Sequence, residues 1–117
     1  MTREEVATIV AESLSRPQAR LRAGTLGSPW NVERIAAEIQ LLHECRINPR
    51  QESARLAPPE SETEEHRKVW IVVETNEGFL VYFDPSTEEF GLAMFDEMRE
   101  VESLNVRGDL IGTFLAR

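Results

Sequence analysis

The stretch of sequence that decides the fold is residues 69–95, which read VWIVVETNEGFLVYFDPSTEEFGLAMF. It contains three runs of β-branched, aromatic and other apolar residues, a composition typical of strands. The runs are short, as strands usually are, and residues that favour turns separate them. The sequence therefore predicts a three-stranded antiparallel meander, with strands near 69–74, 79–83 and 90–95.

The two connections inside this stretch carry turn chemistry. Gly78 follows Asn76 and Glu77 at a position where a hairpin loop needs a positive φ angle, which glycine adopts without strain. Asp84 and Pro85 are the residues that a type I turn favours at its first and second positions. Because tight turns join antiparallel neighbours, we expect the three strands to pair in sequence order.

Apolar side chains occupy both faces of the predicted sheet, because the residues along its strands do not alternate between apolar and polar. Successive side chains of a strand point to opposite faces, and strict alternation puts one set on a second face: Trp70, Val72, Leu80, Tyr82, Ala93 and Phe95. A sheet with one solvated face would show polar residues at every other position. We expect helices of the same chain to cover both faces. The alternative is a second face that binds a protein partner, or a second copy in a homodimer, through Trp70, Val72, Leu80 and Tyr82.

Helices are predicted before and after the meander. Thr2 followed by Glu5 is a capping box for a first helix that ends near Ser15. A short helical stretch could follow at 17–23, and a longer one should run from about 28 to 46. After the meander, Asp109 can cap a last helix whose apolar residues share one face. We therefore expect an α+β fold with two or three N-terminal helices, the meander and a C-terminal helix.

Two segments give weaker signals. Residues 51–66 contain few apolar side chains, so we expect an acidic loop there, within a single domain that spans 1–117. In 96–108, apolar residues recur at every third position from Phe95 to Leu104. That spacing indicates one or two helical turns, and an irregular connection fits nearly as well.

The charge distribution limits the classes of partner. The net charge is −8, and residues 58–117 hold fourteen acidic and five basic residues. Such a surface repels phosphate backbones, so we expect no nucleic-acid binding, whereas a basic protein or a cation would be attracted.

The sequence also bears on location. No apolar run approaches the roughly 20 residues of a membrane-spanning helix, so we expect no membrane partner. The N-terminal residues lack the pattern of a signal peptide, and Cys45 is the single cysteine. We therefore expect a cytoplasmic protein.

No arrangement of residues predicts catalysis. His43 and Cys45 are two positions apart on a predicted helix, so they point in different directions and cannot form a dyad. Asp84, Ser86 and Glu88 place oxygens at the first, third and fifth positions of a turn, which makes them weak candidates for calcium ligands. The glycine and the glutamate that an EF-hand loop needs further along are missing. We expect no catalytic residue and no cofactor, with calcium as the alternative.

These observations favour a non-catalytic protein-binding, regulatory or accessory module whose acidic C-terminal half meets a basic partner. One concrete form is an immunity-type inhibitor that covers a basic toxin nuclease. The alternatives are a calcium-binding sensor and a small enzyme whose site has no recognisable motif.

Overall fold

The computed structural model describes residues 1–15, 32–56 and 65–117. These residues form an α+β fold of three helices and five strands. The helices are α1 (Arg3–Ser15), α2 (Val32–Cys45) and α3 (Leu110–Leu115). The strands are β1 (Arg46–Leu56), β2 (Glu65–Glu74), β3 (Phe79–Asp84), β4 (Glu89–Phe95) and β5 (Val101–Gly108).

The five strands close into a barrel in sequence order. Each strand is antiparallel to the next one along the chain. A meander reverses direction at every turn, so an odd number of strands leaves the first and the last running the same way. The seam between β1 and β5 is accordingly parallel, and it pairs Ala54 with Val101 and Arg55 with Glu102.

The predicted meander is present as the central part of this barrel. The runs at 69–74, 79–83 and 90–95 lie in β2, β3 and β4, which pair in sequence order, and Gly78 has a φ of 93°. The C-terminal helix is also confirmed, with Asp109 at its N-cap, although the Asp109 side chain makes no capping hydrogen bond. The prediction of three strands is wrong, because one further strand precedes the meander and another follows it.

The additional first strand replaces part of the predicted acidic loop. Residues 51–56 belong to β1 and residues 65–66 to β2, whereas 57–64 lie outside the described residues. In β1, Ala54 and Leu56 are fully buried while Gln51 and Ser53 face the solvent. A strand with one solvent-exposed face needs few apolar residues. The composition of residues 51–56 therefore resembles that of a loop.

The additional last strand replaces the ambiguous connection at 96–108. The every-third spacing from Phe95 to Leu104 is not helical, because Val101 and Ser103 are buried on one face of β5. The ladder to β4 then skips from Ser103 to Val106, which leaves Leu104 and Asn105 in a bulge where Asn105 has a φ of 60°. The bulge hides the two-residue period of the strand.

The N-terminal helices are confirmed where the structure describes them. The Glu5 backbone N–H donates to Thr2 Oγ1 over 3.2 Å, so Thr2 caps α1. The predicted central helix is present as α2, and its expected first residues, like the short stretch at 17–23, lie outside the described residues. No helix in the described ranges is long and apolar enough to span a bilayer.

Two hydrophobic clusters bury the two faces of the meander. The interior core lies inside the barrel and comprises Ala54, Leu56, Val69, Ile71, Leu80, Tyr82, Ala93 and Val101. The helix-covered core lies between the outside of the barrel and the three helices. It comprises Val6, Val10, Leu42, Trp70, Val72, Val73, Val81, Phe83, Phe90, Leu92, Leu110, Ile111, Phe114 and Leu115. The chain itself therefore covers both faces of the meander.

The predicted membership of the second face is wrong. Trp70 pairs with Phe83 across the β2–β3 ladder, so both lie on the helix-covered side, whereas Leu80 and Tyr82 point into the barrel. A bulge between Ile71 and Val73 also shifts the phase of β2. Strict alternation cannot anticipate such a shift, because one extra residue inverts the direction of every side chain beyond it.

One close approach inside the barrel depends on a glycine. Gly91 on β4 lies directly opposite Tyr82 on β3, and a Cβ at position 91 would collide with the Tyr82 ring. The Tyr82 hydroxyl is hydrogen-bonded to the Ser103 hydroxyl on β5 over 2.9 Å, and both residues are buried. Tyr82 therefore bridges β3 to β5 across β4, and the missing side chain at 91 makes room for it.

We expect Gly91→Ala to lower the free energy of unfolding by about 1–3 kcal/mol, because the added methyl group overpacks a filled core. Urea unfolding monitored by tryptophan fluorescence measures this change. Tyr82→Phe is the matched control, since it keeps the ring and removes only the buried hydroxyl, at a cost of about 1 kcal/mol. A Gly91→Ala variant as stable as the wild type would show that Tyr82 does not cover this position.

Candidate functional site

The predicted calcium ligands lie at the β3–β4 turn, where Asp84 is almost completely buried. Asp84 Oδ2 accepts a 2.8 Å charged hydrogen bond from Arg67, and Asp84 Oδ1 accepts the Ser86 backbone N–H over 2.9 Å. Glu88 is exposed and adopts a φ of 56°. Both Asp84 oxygens thus accept hydrogen bonds from the protein itself, one of them from a cation. Among the described residues, no group of three or more His, Cys, Asp or Glu side chains could hold a metal ion.

We expect Asp84→Asn to lower the free energy of unfolding by about 2 kcal/mol, because it removes one charge from a largely buried pair. The value is below that for a fully buried pair, because 27% of the Arg67 side chain is exposed to water. Glu88→Gln in the same turn is the control and should change stability by less than about 0.5 kcal/mol. Thermal unfolding with and without calcium measures both. A calcium-dependent rise in the wild-type midpoint that disappears in Asp84→Asn would instead support a cation site.

The predicted partner-binding residues do not form a surface. Trp70 and Val72 lie in the helix-covered core, and Leu80 and Tyr82 lie in the interior core. Trp70 is the most exposed of the four, at 7%. The structure therefore does not bring the four together, and it leaves none of them accessible to a partner or to a second copy.

Cys45 ends α2, where β1 begins, and its free thiol is partly buried. Burial raises the pKa of the Cys45 thiol above its ordinary value; the nearby Arg117 lowers it, while Glu44 and Glu77 raise it. His43 and His66 are both exposed, on α2 and β2 respectively. A raised thiol pKa leaves less thiolate at neutral pH, which is the opposite of what a nucleophilic cysteine needs.

Alkylation of Cys45 by iodoacetamide near neutral pH should therefore be slower in the folded protein than in the same protein unfolded in urea. The pH–rate profile should also be displaced to higher pH in the folded state, which separates the raised pKa from simple shielding. Glu77→Gln should move the folded profile back to lower pH, because it removes a negative charge that disfavours the thiolate. A folded profile that coincides with the unfolded one would refute this account of Cys45.

One polar depression of about 260 Å³ lies on the outside of the β1–β2 hairpin, lined by Gln51, Glu52, Ser53 and Lys68. Ser53 and Lys68 are directly opposite each other in the ladder, and both are exposed. Glu52 is engaged in an ion pair with Arg50 over 3.2 Å. The depression is shallow and offers no buried polar group, so it gives the enzyme alternative no chemical support.

The most distinctive surface feature is the loop between β4 and β5. Within the described residues, the large hydrophobic side chains that are exposed are those of Met1, Met98 and Leu104, and Met98 is the most exposed at 81%. Met98 stands at the tip of the loop, between the exposed residues Glu97 and Arg99. The spacing from Phe95 to Leu104 indicated helical turns or an irregular connection, and neither interpretation singled out Met98.

A single carboxylate organises the loop. Asp96 Oδ1 accepts the backbone N–H groups of Met98 (2.8 Å) and Glu100 (2.9 Å). The Asp96 backbone N–H donates to the Glu100 carbonyl over 2.8 Å. Asp96 Oδ2 also pairs with Arg55 on β1 over 3.4 Å. An aspartate that opens a tight loop is the signal from which this structure could have been predicted.

The charges around the loop are mostly negative. Arg55 neutralises part of Asp96 and of Glu102, and the Arg99 guanidinium lies 5.4 Å from the centre of the Phe95 ring. Glu97 and Glu100 are exposed and form no ion pair with any described residue. The loop therefore presents an apolar tip between two carboxylates that have no ion-pair partner in the described chain.

Comparison with known proteins gave no relative: no family model, no curated protein and no solved structure matches this chain.

Proposed function

We propose that this chain is a non-catalytic protein-binding module, regulatory or accessory in role, that meets a basic partner protein. An immunity-type inhibitor that covers a basic nuclease is one form of this function. The observation that carries the proposal is a cluster of exposed carboxylates at one end of the barrel.

Those carboxylates come from two adjacent loops. Phe79 pairs with Met94 in the β3–β4 ladder, so the β2–β3 hairpin at 75–78 and the β4–β5 loop at 96–100 lie at the same end of the barrel. We define the acidic end as Glu77, Glu97 and Glu100, all of them exposed. Glu77 has only a 3.6 Å contact with Arg117, whereas the other two have no ionic partner in the described chain.

Burial of the apolar faces supports a charge-based mode of binding. Both faces of the meander are covered by the chain itself, so no large apolar sheet surface remains among the described residues. Recognition would then depend on electrostatic attraction, which steers the encounter and adds specificity, together with small apolar contacts. The net charge of −8 acts in the same direction over longer distances.

The test begins with a tagged protein exposed to an extract of the source organism at low and at high salt, followed by purification of the captured protein. Titration of the purified partner should then show tighter binding at low salt. Glu97→Lys combined with Glu100→Lys should weaken the affinity about tenfold or more, because the acidic end then repels a basic surface.

A matched control keeps the net charge of that variant but changes another surface. Glu4→Lys combined with Glu12→Lys alters two exposed residues of α1 by the same amount of charge. This control should bind the partner within about threefold of the wild type. The proposed function would be overturned if the affinity of the partner changed neither with salt nor in either double variant. A partner with a net negative charge would also overturn it.

A further inference from the structure

We draw no further inference here: the strongest candidate, the Arg107 guanidinium on the inner face of β5 at the end of the barrel opposite the acidic end, has one buried nitrogen with no hydrogen-bond partner in the described chain, but Arg107 as a whole is partly exposed and nothing in the structure shows what would bind there.

Discussion

The structure depends on burying strands that are apolar on both faces. Every residue of β3 from Leu80 to Asp84 is buried, as are residues 69–73 of β2 and 90–93 of β4. A flat sheet would need helices on both sides to bury such strands. This chain instead curls the sheet into a barrel, so that one face becomes the interior core and the helices need to cover only the other.

Closure of the sheet into a barrel also explains why two of its strands can be polar on their outer face. β1 and β5 complete the barrel, and they need to supply apolar residues only to its interior, as Ala54, Leu56 and Val101 do. Their outward residues, such as Gln51 and Ser53, remain in water. The strands that close the fold are thus the ones with the weakest sequence signal, and this is why a pattern search finds the centre of the barrel and misses its seam.

Much of the fold could be predicted from local rules, and the predictions that were wrong have identifiable causes. Gly78 and the Thr2 cap have local causes, so the sequence predicts them correctly. The face on which Trp70 lies depends on a bulge at 71–73, which arises from pairing with β3 and has no local signature. Met98 was missed for a related reason: its spacing from Phe95 and Val101 looks periodic, and the role of Asp96 in shaping the loop was not predicted.

Ion pairs between elements of the fold leave fewer unpaired carboxylates at the surface than the composition suggests. Several arginines are used to join elements of the fold: Arg67 joins β2 to Asp84, Arg55 joins β1 to the β4–β5 loop, and Arg117 contacts Glu38 of α2 over 2.7 Å. Each of these pairs neutralises a carboxylate that would otherwise contribute to the surface potential. Glu97 and Glu100 are among the exposed carboxylates that keep their charge, because no arginine forms an ion pair with them in the described chain. Exposed charges are screened over about 8–10 Å at physiological salt, so each of these carboxylates acts most strongly on groups close to it. The same pairing that stabilises the barrel thus reduces the number of carboxylates that can attract a basic partner.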